Sequence, residues 1–96
     1  MKPLPRTPEM FRVAKRVVWF KDPDETLADP VHFLAHVMTY GMEEDLRVVL
    51  QVVGDEALCE ALQHAGPGIF DQRSWAYWNL RCGIPPDTPL PVRRFE

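Results

Sequence analysis

Ten prolines decide where this 96-residue chain can be regular. Pro3, Pro5, Pro8, Pro23, Pro30, Pro67, Pro85, Pro86, Pro89 and Pro91 fall in the terminal stretches, between apolar-periodic segments, or at a first helical position, where a missing N–H costs little. None interrupts an apolar pattern, and the segments between them read with a helical period. Thr7 is placed to cap a helix opening at Pro8, in which Met10, Val13, Ala14, Val17 and Val18 form one apolar stripe. Asp29-Pro30 repeats the cap-then-proline pattern for a helix running through Tyr40 to Gly41, where a left-handed C′ residue is expected. Leu46, Val49, Leu50 and Val53 make the next stripe, ended by Gly54. Asp55 then caps a short helix with Leu58, Ala61, Leu62 and Ala65 inward, ended by Gly66-Pro67-Gly68. Asp71 caps a last helix that Gly83 and Pro85-Pro86 terminate.

The expected fold is therefore all-α: a small single domain of about five short helices with Gly-terminated turns. Residues 1–7 read as an extended N-terminal tail, 8–84 as the helical domain and 85–96 as an extended, Pro-rich C-terminal tail. Val17-Val18-Trp19-Phe20 has strand composition, but no equally good partner strand accompanies it. No apolar run approaches the roughly 20 residues that span a bilayer, and no signal-peptide core follows Met1-Lys2-Pro3, so a soluble, cytoplasmic protein is expected. Cys59 and Cys82, the only cysteines, read as small buried hydrophobes with free thiols.

Charge is segregated along the chain. Residues 1–21 carry six cations against Glu9, whereas residues 22–66 carry ten acids against Arg47. The acidic middle would repel nucleic acid and attract a basic surface. The same carboxylates are also what helix N-termini favour, and Glu43, Glu44, Asp45, Asp55 and Glu56 all sit in expected first turns.

His32 and His36 stand at i, i+4, the spacing of a metal pair, with His64 as a conceivable third ligand. The residue after the first histidine is Phe33, so the general-base glutamate of a zinc hydrolase is absent, and two structural histidines are the simpler reading. A helix-turn-helix over 42–65 fails on sign, because its second helix offers Asp55, Glu56 and Glu60 and no cation. A nucleic-acid contact through Arg12, Lys15 and Arg16 on the first helix, aided by the last helix, is the alternative. The sequence carries no Gly-rich phosphate loop, nucleophile elbow or Cys/His pairing at a family spacing, so neither enzymatic activity nor a cofactor or metal is expected.

The last helix concentrates aromatics. At 100° per residue Trp75, Trp78 and Cys82 share one face with Asn79 at its edge, while Arg73, Tyr77 and Arg81 form a row on another. The tryptophans read as core. The Arg73–Tyr77–Arg81 row reads either as a contact surface, given the preference of interfaces for Arg and Tyr, or as a solvated face.

Residues 17–85 resemble a family of short, largely uncharacterised bacterial helical proteins. The likeness lies in the Trp19-Phe20-Lys21-Asp22 opening, an apolar helix ending at Gly41, an acidic-start helix ending near Gly54, and a last helix with Tyr77-Trp78 before Gly83-Ile84-Pro85. Members of that family are often encoded beside nucleotidyltransferase-like toxins of the abortive-infection type. The resemblance implies an antitoxin or accessory protein whose partner is the co-encoded toxin, homo-oligomers being a further option. Contact would then involve Glu43, Glu44 and Asp45 as exposed acids, with Arg73, Tyr77 and Arg81. This chain departs from its relatives in having His36 where they have arginine, and "HAGPGIFDQ" where they have a more basic segment.

Overall fold

A computed structural model describes residues 2–85 and 87–91. Five helices follow in order: α1 (Pro8–Val17), α2 (Pro23–Ala28), α3 (Pro30–Tyr40), α4 (Glu43–His64) and α5 (Gln72–Arg81). The all-α expectation holds, and the described residues contain no strand.

Each element starts for a local reason. The Thr7 side chain accepts from the Met10 N–H at 3.2 Å, and α1 turns Met10, Val13, Ala14 and Val17 inward as its stripe requires. α3 begins at Pro30, but its N-cap Asp29 makes no capping hydrogen bond; the carboxylate lies 3.7 Å from Lys21 Nζ instead. α2 was not foreseen as a helix, although Asp22-Pro23 carries the same cap-then-proline pattern as Asp29-Pro30. Its six residues bury Leu27 and Thr26, whose hydroxyl donates to the Asp22 carbonyl at 3.0 Å.

Two glycines behave differently from expectation, each for a physical reason. Gly41 is extended, not left-handed (φ −69°, ψ 152°). It is required because a Cβ there would lie 2.6 Å from the Val37 carbonyl oxygen, an impossible approach. Gly54, expected to end one helix, lies inside α4 as a kink at φ 80°, ψ 172°, a region closed to side-chain-bearing residues, so two short helices join without an intervening loop. At the end of α5 the Ile84 N–H reaches the Asn79 carbonyl (2.8 Å) and the Gly83 N–H that of Leu80 (3.1 Å), a complete Schellman closure.

The core is one cluster built from all five helices, with Phe33, Leu34, Ala35 and Val37 of α3 at its centre. Trp75 and Trp78 plug it from α5, as the helical wheel requires. The Trp78 indole N–H donates to the Met38 carbonyl and that of Trp75 to the Thr88 carbonyl, both at 2.8 Å. That second bond, with Leu90 packed on the core, draws the described part of the C-terminal stretch back onto α5. The N-terminal stretch docks too: Leu4 is buried, and its N–H bonds the Leu27 carbonyl at 2.9 Å. The rest of the expected tail, residue 86 and residues 92–96, lies outside the described residues.

The cysteines require a correction. Cys59 of α4 and Cys82 at the C-cap of α5 form a disulfide across 23 residues, with Cα atoms 5.7 Å apart, so they are not free thiols. Their spacing matches no familiar framework, and only the return of α5 along α4 brings them together. Among the described residues no helix is long and apolar enough to cross a membrane.

Candidate functional site

Two surfaces collect the chemistry-bearing residues, an aromatic cleft where α1, α3 and α4 meet and the outer face of α5. α1 ends at Val17, and the turn that follows buries Val18 but leaves Trp19 and Phe20 outside, edge to face at 5.6 Å. Along α3, His32, His36 and Tyr40 recur every four residues and form a continuous row, with ring centroids 4.1 Å and 5.8 Å apart. Phe20 closes on that row at 5.8 Å from His36. Met42, at the N-cap of α4, completes the wall of a cleft of about 530 Å³. Trp19, Phe20, Tyr40 and Met42 are 78 %, 56 %, 62 % and 64 % exposed, so four large apolar side chains surround one depression. The sequence reading missed this grouping. Its one local signal is an aromatic pair just past the end of an otherwise well-patterned amphipathic helix.

At the edge of the cleft Asp45 pairs with Arg16, and here the sequence expectation needs correcting. Glu43 and Glu44 are exposed, but Asp45 is only 1 % exposed. It sits at N3 of α4, where its second oxygen accepts from the Met42 N–H at 2.9 Å, so it caps the helix while holding α1 against it. Asp45 is thus a structural anchor, not part of an exposed acidic triplet. Its hydrogen bond to Arg16, and next its charge, raise the guanidinium pKa. Arg16, an expected nucleic-acid contact, is thereby committed to an internal partner. Arg12 and Lys15 remain exposed on α1, and among the described residues no ion pair holds them.

The histidines are engaged locally. His36 is buried with Nδ1 on the His32 carbonyl at 2.8 Å, and His64 makes the equivalent contact with the Glu60 carbonyl at 2.9 Å on α4. Burial pushes the His32 imidazole below its ordinary value, helped by the neighbouring His36 and Lys21 and opposed by Asp29; its Nδ1 has no hydrogen-bond partner. Among the described residues no three His, Cys, Asp or Glu side chains gather as a metal site.

On α5 the Asp71 carboxyl caps the helix through the Ser74 N–H at 2.7 Å. Hydrogen bonds from Ser74, the backbone one first, hold it below the usual carboxylate range. Arg73, Tyr77 and Arg81 are exposed, and Leu80 joins their face. Tyr77 is 55 % and Leu80 66 % exposed, while the Arg81 guanidinium lies 5.0 Å over the Trp78 ring and 3.5 Å from Asp55. The α5 row and the Glu43–Glu44 turn thus stay accessible but occupy different helices.

Compared with family models, with curated proteins and with solved structures, the chain matches none. The family likeness rests on the residue pattern of positions 17–85 alone.

Proposed function

We propose that the protein is a non-enzymatic interaction module that meets a protein partner through the outer face of α5. The observation that carries this reading is the stripe Arg73, Tyr77, Leu80 and Arg81, in which two large apolar side chains stand more than half exposed between two arginines. Tyr and Arg are the residues most often found at the energetic centres of interfaces. The opposite side of α5 is anchored by two indole hydrogen bonds and by core packing of Trp75 and Trp78, so presenting the stripe costs little ordering on binding.

The partner we infer from the family resemblance is a co-encoded nucleotidyltransferase-like toxin, which the protein would neutralise as an antitoxin or assist as an accessory subunit in the cytoplasm. Glu43 and Glu44, with the other acids of residues 22–66, would steer it toward a basic, nucleotide-handling surface. Where a reducing compartment opened the Cys59–Cys82 disulfide, the two indole bonds and core packing would still hold α5.

Co-expression and affinity capture test the reading. The tagged protein should retain the product of the neighbouring reading frame and relieve its toxicity. Tyr77→Ala with Leu80→Ala should weaken capture at least about tenfold while helical content is unchanged. Absence of capture by the wild-type chain, or capture indifferent to the double substitution, would falsify it.

A further inference from the structure

We infer that His32 is a proton-operated latch: while neutral it holds the turn 19–21 against α3, and once protonated it releases that turn and opens the aromatic wall of the cleft. The His32 ring stacks on His36 with centroids 4.1 Å apart, and Phe20 closes over the pair, its ring 6.5 Å from His32 and 5.8 Å from His36. The next residue, Lys21, lies 3.7 Å from the carboxylate of Asp29 at the N-cap of α3. One ring contact and one ion pair therefore fasten the turn to α3, and His32 stands beside both.

The His32 Nδ1 atom is buried and has no hydrogen-bond partner. A neutral imidazole tolerates this, since Nδ1 can carry the lone pair and Nε2 the hydrogen. The imidazolium carries N–H on both nitrogens, so protonation places a buried N–H where nothing accepts it. The His36 Nδ1 is already committed, donating to the His32 carbonyl at 2.8 Å. Among the charged groups acting on the ring, Lys21 and a protonated His36 repel the imidazolium, and Asp29 attracts it. The 66–69 segment, which lines a depression with His32, brings only Gly66, Pro67, Gly68 and Ile69. The charged ring is relieved by swinging into water beside Asp29. That movement removes the stack beneath Phe20 and sets His32 in competition with Lys21 for the carboxylate, so both fastenings of the turn are lost together. Because the latched ring holds its proton less tightly than a free imidazole, the latch is intact above about pH 6.5 and weakens as pH falls below it.

Nuclear magnetic resonance on the full chain tests this. Nuclear Overhauser effects between the Phe20 and His36 rings should be present at about pH 7.5 and fall at least about threefold by about pH 5, following the His32 titration, while circular dichroism shows unchanged helix. His32→Gln should make their intensity independent of pH. Lys21→Gln, which removes a repelling charge and frees Asp29, should move the His32 midpoint upward, and this holds the inference to account even where the glutamine at position 32 disturbs folding. Ring contacts that survive protonation of His32, a pH-dependent loss that persists in His32→Gln, a His32 midpoint unmoved by Lys21→Gln, or a general loss of helix over the same pH range would each overturn the inference.

Discussion

Asp45 and Glu44 are neighbours of like charge in the same first turn, yet one is buried beneath α1 and the other faces water. The difference is what each meets across the fold: Asp45 finds Arg16 and the Met42 N–H, and so satisfies a carboxylate that would be costly to bury alone. The same logic separates the two ends of the aromatic block. Trp78 is buried with its indole N–H on the Met38 carbonyl, whereas Arg81 lies over its ring at the surface. Trp78→Ala should therefore cost about 3–5 kcal/mol, by removing a core ring and leaving that carbonyl unpaired. Arg81→Ala should cost under about 1 kcal/mol, since its pair with Asp55 is largely solvated. Urea unfolding of the two variants reads the contrast directly, and equally small effects would mean that the ring does not carry the core.

Among the elements, α4 is the one whose backbone departs from regularity. Gly54 sits at positive φ inside it and redirects the second half, so that Leu58, Ala61 and Leu62 rejoin the core and Cys59 comes to face α5. A Cβ at Gly54 would meet no neighbouring atom, so any penalty for substitution comes from the backbone conformation alone. Gly54→Ala should destabilise by about 1–3 kcal/mol, the cost of holding a side-chain-bearing residue at this extended positive-φ conformation. Gly66→Ala, at a position with equal space and no positive φ, should be near neutral or slightly stabilising. Thermal melts of both variants, compared with wild type, measure the difference; equal effects would remove the conformational role assigned to Gly54.

At the scale of the whole molecule, α5 is the element most dependent on cross-links. The indole bonds of Trp78 and Trp75 tie it to α3 and to the returning C-terminal stretch, and the disulfide ties it to α4. A bond across 23 residues removes enough freedom from the unfolded chain to stabilise the fold by on the order of 3 kcal/mol. In a domain of this size that corresponds to a melting temperature lower by roughly 10 °C or more after reduction. Melting with and without reductant, alongside Cys59→Ser with Cys82→Ser, checks this. A reductant effect that persists in the double variant would assign it to something other than the disulfide.

The elements that depend on near neighbours were legible in the sequence. Thr7 and Asp71 as caps, the inward stripe of α1 and the division of α5 into a tryptophan face and an Arg–Tyr face each follow from contacts within about four residues, the range over which helical periodicity acts. α2 had its signal in Asp22-Pro23 but was too short to show a period. What the tertiary structure decided involves pairs far apart in sequence. Arg16 and Asp45 are 29 residues apart and Cys59 and Cys82 are 23 apart, and neither member of a pair indicates which distant residue will arrive beside it. Trp19 and Phe20 form a patch with Tyr40 and Met42 only because α3 and α4 return past the end of α1. Periodicity assigns a residue to a face of its own helix, while helix packing determines which of those faces meets another and which is left open to water.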